Sequence, residues 1–492
     1  MSVTSPPTTR LIANVIAGSE RPAAGGETFE KINPATGEVV SQVARSDRRD
    51  VDAAVAAAGE AQPAWSRATP VERGTTLRRI TQLLERDRAE VAAIVAAETG
   101  KSPKDAAGET DGAIEMGYFV AGEGRRLYGK TTTSAVPNRQ AMVVRQPLGV
   151  AGLIIAANTP IANVAWKVFP ALVCGNSAVL KASEDTPETA LAFARLAAEA
   201  GLPPGVLNVV HGYGEEAGQP LVEHSDVAVV SFTGSTAVGR MIARVAGERL
   251  AKVCLELGGK NPFVVCDDAD LDRAVDAAAL SAFSNAGQRC AAGSRLIVFD
   301  GVYDNFVSLL VQRTEAQRVG PDDEHDFGPV INERQLEAML AAVERARDAG
   351  ARILAGGERL TGEGRDGGFY MAPTLVENAS LESEIACTEL FGPIATIHRV
   401  DGFEEAITTA NASPYGLTAA IWTASVHRGQ EFVAQIQSGV ASVNGPTYGS
   451  EPHMPFGGVK DSGSGWREAG TEAIDVYSDL KTVYLNHDPS RL

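Results

Sequence analysis

Two hydrophobic rhythms divide this chain. Over residues 48–122 apolar positions recur at helical spacing in an Ala/Glu/Arg-rich background, predicting helices over 48–62, 70–97 and 101–122. Before them, residues 1–48 alternate short apolar runs with Gly/Pro turns, and 29–37 reads as a strand followed by a turn. A half-alternating segment at 140–146, ended by Pro147, predicts another strand.

The rhythm then changes. Residues 149–157 are continuously apolar, and short apolar runs at 178–181, 206–210 and 227–232 alternate with helical patterns over 161–174, 187–200 and 235–248. Fully apolar strands between helices predict a parallel sheet covered on both faces. A second series follows, with strands at 262–266, 294–299, 351–354, 369–375, 394–399 and 418–422. Helices are expected over 270–286, 303–318, 332–348 and 403–411. Residues 477–485 alternate again, and such a late strand could pair with 140–146 or with another subunit's edge. No internal repeat or low-complexity linker is visible.

The 492 residues suffice for two or three domains. A net charge of −18 argues against nucleic acid or an anionic membrane as partner. Nothing resembles a signal peptide, and no apolar run approaches the roughly 18 residues of a membrane span, so a cytoplasmic protein is expected. The five cysteines (Cys174, Cys254, Cys266, Cys290, Cys387) form no close pair, which suits a reducing compartment. The seven histidines show no ligand spacing, so no metal is expected.

Candidate chemistry gathers at a few points. Cys290 follows the turn Ser284-Asn285-Ala286-Gly287-Gln288-Arg289, where Arg289 could depress the thiol pKa; a small buried thiol is the plainer alternative. Glu256 interrupts an apolar run before Gly258-Gly259, either as a surface strand end or as a buried base. Asn158 closes the 149–157 run, as a helix cap or as a donor to a developing oxyanion together with the Cys290 N–H. Gly234-Ser235, between a strand and a helix, suit a phosphate. Lys181 and Glu184 suit ribose hydroxyls or a surface ion pair. Glu389 and Phe391 could hold a ribose and a flat ring, and the glycine-rich loop 456–465 is not a P-loop.

In this order, Asn158, FTGSTAVG, LELGGK, GQRC, ELFGP and PFGGVK resemble the NAD(P)-dependent aldehyde dehydrogenase superfamily over about residues 10–485. The resemblance implies Cys290 as nucleophile, Glu256 as general base, Asn158 as oxyanion amide and a Lys167–Glu468 proton route, although Trp466 looks like an insertion before Arg467-Glu468. It implies Lys181, Glu184, Gly234, Ser235, Glu389 and Phe391 as the cofactor set. The reaction implied is NAD-dependent oxidation of an aldehyde to a free acid through a cysteine thiohemiacetal and thioester. Glu184 favours NAD, with NADP use also admitted.

The architecture implied is an α/β fold: an open α/β cofactor domain (1–122 and 147–257), an α/β catalytic domain (258–460), a return segment (461–473) and a small β oligomerisation flap (123–146 with 474–492). A homodimer or homotetramer is expected. Thr159 replaces a common bulky ring and Asn163 a common apolar residue, so with Trp166, Arg289 and Tyr448 they predict a wide, polar substrate tunnel. Tyr448 could stack on a substrate or pack its own loop. The ending resembles the 2-oxoglutarate semialdehyde branch, while a broad oxidiser of aromatic or medium-chain aldehydes is the alternative. An esterase and a non-catalytic NAD-binding structural protein are remoter readings, the latter opposed by the presence of both thiol and base.

Overall fold

The computed structural model describes residues 10–491; the outermost ends of the expected 1–122 and 474–492 segments lie outside the described residues. A seven-stranded sheet runs, in spatial order, Lys252–Glu256, Val227–Thr233, Val150–Ile154, Ser177–Lys181, Leu207–Val210, Asn14–Ile16 and Ser19–Arg21. The first five are parallel, Asn14–Ile16 runs antiparallel to Leu207–Val210, and Ser19–Arg21 runs antiparallel to Asn14–Ile16. Strand order reverses between Val150–Ile154 and Val227–Thr233, and ligands of open α/β sheets bind outside the carboxyl ends at such a reversal. Asn158, Lys181, Gly234-Ser235 and Glu256 all follow or close carboxyl ends in this sheet.

A second seven-stranded sheet runs Arg352–Ala355, Thr374–Glu377, Ile394–Val400, Arg295–Phe299, Pro262–Val265, Thr418–Trp422 and Val440–Val443. It is parallel except at Arg352–Ala355. Its central strands, such as Pro262–Val265 and Thr418–Trp422, are buried on both faces, as their largely apolar sequences require, while the two edge strands are partly exposed. A third, three-stranded sheet joins Lys130–Thr133, Arg139–Pro147 and Ser478–Asn486, the last pair in register from Ser478↔Pro147 to Asn486↔Arg139. The late alternating strand therefore pairs with the 140–146 segment of its own chain. Among the described residues no helix is long and apolar enough to cross a membrane.

Several expected elements are corrected. The 70–97 helix is two, Pro70–Arg86 and Arg88–Thr99, because Asp87 caps the first without continuing it. The 270–286 helix stops at Phe283, after which Asn285, Ala286 and Gly287 take φ of 55°, 54° and 65°. That left-handed turn redirects the chain towards Cys290, at a conformational cost for the two non-glycine residues. The strand expected at 369–375 forms only over Thr374–Glu377, while the Phe369 N–H donates to Pro34 O and Pro373 has no N–H to give a ladder. The Val426–Gln435 helix and the edge strand Val440–Val443 were not expected from the pattern.

Candidate active site

Cys290 follows the left-handed turn and is held from several sides. Asn261 donates from Nδ2 to Cys290 O (2.8 Å) and Ala292 O (2.9 Å), while its Oδ1 accepts from Thr418 N–H (3.0 Å). Gln288 accepts from Ile331 N–H (2.8 Å) and donates to Pro329 O (3.3 Å). A Cβ on Gly287 would lie 2.1 Å from Gly392 O, so only glycine lets the cysteine turn meet the Glu389–Pro393 segment. The loop before Tyr448 joins through Thr447 Oγ1, which donates to Ala291 O (2.6 Å). Asn261 was missed at the sequence level; a buried amide directly after Gly258-Gly259-Lys260 was the available signal.

Burial, reinforced by the Glu389 and Glu256 carboxylates, pushes the Cys290 thiol up to about 12. This corrects the expectation that Arg289 depresses it, because the guanidinium's effect is outweighed. Arg289 lies 4.6 Å over the Tyr448 ring and donates from Nε to Ser284 Oγ (3.2 Å). Tyr448 is half-buried and packs on this cation.

Asn158 donates from Nδ2 to Gln288 O at 3.0 Å, which brings its amide to the cysteine loop and leaves one amide hydrogen unused there. Asn163 differs from expectation: its Nδ2 is spent on Thr159 O (2.9 Å) and Thr159 Oγ1 (3.0 Å), so its donors do not enrich a tunnel. Trp166 meets Phe456 edge-on at 5.4 Å.

Glu256 ends its strand 5 % exposed, with neither carboxyl oxygen hydrogen-bonded. A Cβ on Gly457 would lie 2.7 Å from Glu256 Oε1, so that glycine makes room for the carboxyl group. Burial, then the charge of Glu468, hold its pKa well above the carboxylate range, while Lys167 and Arg467 pull it down. Lys167 Nζ donates to Glu468 Oε1 (2.5 Å) and Ser231 Oγ (2.8 Å), and Ser231 Oγ donates to the same carboxylate oxygen (2.6 Å). Trp466 does not displace this pair; it turns outward to lie under Lys252 Nζ, 4.4 Å from its ring centre.

Lys181 Nζ donates to Glu184 Oε2 (3.1 Å). Burial raises the Glu184 pKa, but Lys181 and a backbone N–H outweigh it, so the carboxylate is held below its ordinary value. Ser235 caps the Thr236–Glu248 helix by accepting from Val238 N–H (3.4 Å), and the Gly234 N–H is engaged by Glu256 O (3.1 Å). The Glu389 carboxylate accepts from Gly259 N–H (3.0 Å) and fills the space where a Gly258 Cβ would stand. Burial raises it to about 7 against the pull of that N–H and Lys260. Phe391 is half-buried with φ of 56°.

These groups open from the carboxyl side of one sheet and the facing cysteine loop. They offer a nucleophile, an amide donor, an unsatisfied carboxyl group and a helix N-terminus, which together suit acyl chemistry beside a nucleotide. Residues 21–483 match the family model described as "Aldehyde dehydrogenase family". The chain is 39% identical over 488 residues to the alpha-ketoglutaric semialdehyde dehydrogenase of Bacillus subtilis (strain 168), covering 99% of this chain and 100% of that one. It is 37% identical over 464 residues to the 2,5-dioxopentanoate dehydrogenase of Saccharolobus solfataricus, covering 93% and 96%. The solved betaine aldehyde dehydrogenase of Staphylococcus aureus in complex with NAD+ superposes with a TM-score of 0.95 at 32% identity, covering 97% and 95%.

Proposed function

The chain belongs to the aldehyde dehydrogenase family, and from that premise we propose how its own residues share the NAD-dependent oxidation of an aldehyde to an acid. The observation that carries the assignment is Glu256, a carboxyl group buried without a partner among the described residues, near the half-buried Cys290 thiol. Burying such a group unsatisfied costs on the order of 1–3 kcal/mol or more, which a merely structural residue would not retain. A base poised by burial gives the reason for that cost.

The residues present fit NAD. Lys181 and Glu184 form a charge-and-acceptor pair at a strand's carboxyl end, for ribose hydroxyls. The Thr236–Glu248 helix begins at Gly234-Ser235, suited to a pyrophosphate. Glu389 and Phe391 would hold the second ribose and the nicotinamide. When bound, NAD supplies the hydride acceptor.

Cys290 adds through its sulfur to the aldehyde carbon, giving a thiohemiacetal. The free amide hydrogen of Asn158, with the Cys290 N–H, stabilises the developing oxyanion. Oxidation leaves a thioester on Cys290. Glu256 then takes a proton from water, which attacks that thioester and releases the acid and the free thiol. The Lys167–Glu468 pair acts on Glu256 through its charges, since neither Glu256 oxygen is hydrogen-bonded to it.

For substrate, the reading favours a semialdehyde bearing a carboxylate, such as 2-oxoglutarate semialdehyde. Arg289, next to the nucleophile, forms no ion pair among the described residues and is braced on Tyr448. A half-buried, unpaired guanidinium is a ready partner for a carboxylate, and the names of the two semialdehyde-oxidising relatives agree. NADH formation from 2-oxoglutarate semialdehyde, hexanal and benzaldehyde tests this. The carboxylated aldehyde should lead by at least ~100-fold in kcat/KM, about 2.7 kcal/mol. Arg289→Met should remove most of that lead and spare hexanal. A flat profile would instead mean a broad oxidiser of aromatic or medium-chain aldehydes.

The three-stranded flap leaves Val144, Leu480, Tyr484 and Leu485 exposed. Apolar residues on a small sheet with an open edge support assembly into a homodimer or homotetramer through this flap. All five cysteines are free thiols, which supports a cytoplasmic location.

A further inference from the structure

The Pro160–Val173 helix carries Asn163, Trp166 and Lys167 and starts directly after Asn158-Thr159, yet Thr159 gives it no side-chain cap. Its first-turn N–H groups are satisfied from elsewhere. Glu109, on the Pro103–Glu123 helix, accepts at Oε1 from Ile161 N–H (3.0 Å) and Ala162 N–H (3.4 Å). The other oxygen of Glu109 meets Lys101 Nζ at 2.5 Å, with both side chains buried at 3% and 5% exposure. Lys101 Nζ also donates to the backbone carbonyl of Asn158 at 2.8 Å.

The four contacts make one device. The ammonium ends on the carbonyl of Asn158, and the carboxylate ends on the N–H groups three and four residues further on. Between these anchors the backbone of Asn158 has little freedom, and its side chain is tied once more, to Gln288 O. A neutral cap on Thr159 would satisfy the helix without a buried ion pair. Burying a lysine and a glutamate carries a large desolvation cost, which their mutual attraction repays only in tight geometry. What the pair adds over an ordinary cap is the tether to Asn158.

We propose that Lys101 and Glu109 are positioning residues that aim the Asn158 amide at the oxyanion. They act through Asn158 and touch neither substrate nor cofactor. The proposal rests on the reading of Asn158 as oxyanion donor.

The test is a double-mutant cycle read on the pre-steady-state NADH burst, which reports acylation, in the full-length enzyme with saturating NAD and its best aldehyde. Asn158→Ala should slow the burst by about 10²- to 10³-fold, as loss of one oxyanion donor does. Lys101→Met should slow it ~10- to 100-fold in the wild-type background and by less than about threefold in the Asn158→Ala background, the non-additivity expected of residues acting as a unit. Lys101→Arg should recover most of the rate. Should Lys101→Met fail to fold, Glu109→Gln takes its place in the cycle; the glutamine keeps an acceptor for Ile161 and Ala162 and loses the ion pair. Losses that multiply in the double variant, or an unchanged burst in Lys101→Met and Glu109→Gln, would overturn the proposal and leave the oxyanion reading intact. An unchanged burst in Asn158→Ala would overturn both.

Discussion

Lys167 and Glu468, 301 residues apart in sequence, meet at 2.5 Å with side chains 0% and 2% exposed. Both bear on Glu256 with opposite sign, since the Glu468 charge raises its pKa and the Lys167 charge lowers it. Glu256 serves as base only when deprotonated, so turnover should rise with pH through its pKa. Lys167→Met should move that rising limb of kcat to higher pH, and Glu468→Gln should move it lower. Shifts in one common direction, read from kcat across pH 5–10, would reject the electrostatic link. Lys167→Met should also destabilise the protein by roughly 3–5 kcal/mol, because it strands a buried carboxylate; denaturant unfolding measures it.

In the ligand-free enzyme, Cys290 should alkylate slowly. A thiol raised to about 12 supplies a thiolate fraction that grows about tenfold per pH unit across the neutral range. Iodoacetamide inactivation should accelerate steadily from pH 7 to 10, with mass spectrometry finding the label on the peptide that carries Cys290. A plateau below pH 9 would contradict the burial of this thiol.

Glu256→Gln should uncouple the two halves of the reaction. The NADH burst should survive at near full amplitude while steady-state turnover falls by roughly 10²- to 10⁴-fold, the usual worth of a general base. Mass spectrometry should find the acyl group on Cys290. A burst lost together with turnover would move Glu256 to the acylation step.

Glu184→Ser should raise the NADP:NAD ratio of kcat/KM by about tenfold or more, since a carboxylate repels a 2′-phosphate and accepts from a free 2′-hydroxyl. An unmoved ratio would free Lys181 and Glu184 from the ribose assignment.

The alternation of apolar strands with helices was enough to read two α/β sheets, because strands such as Val150–Ile154 are continuously apolar for a local reason: they are buried on both faces. The pairing of 140–146 with the late strand was one of two open readings, and only the register decides it. The turn before Cys290 was legible, but the helix leading into it was read too long because the left-handed φ falls on Asn285 and Ala286 rather than on glycine alone. The local partners of Arg289 and Asn163, Ser284 and Thr159, belong to three-dimensional geometry that residue type does not encode, and burial outweighed the expected effect of Arg289 on the thiol. Asn261 was overlooked beside its glycine pair, and the roles of Lys101 and Glu109 were hidden because the Asn158 and Ile161 groups they hold lie more than 50 residues away.

The pairing of Ser478–Asn486 with Arg139–Pro147 has a consequence for how the protein is made. On the ribosome, Lys167 emerges long before Glu468, and the Arg139–Pro147 strand waits through most of synthesis with one edge open. The parallel sheets can form in order as the chain emerges, but the charge under Glu256 and the edge of the flap are closed only by late residues. A nascent chain stalled before residue 468 should thus be compact yet inactive, and prone to capture by other unpaired strands.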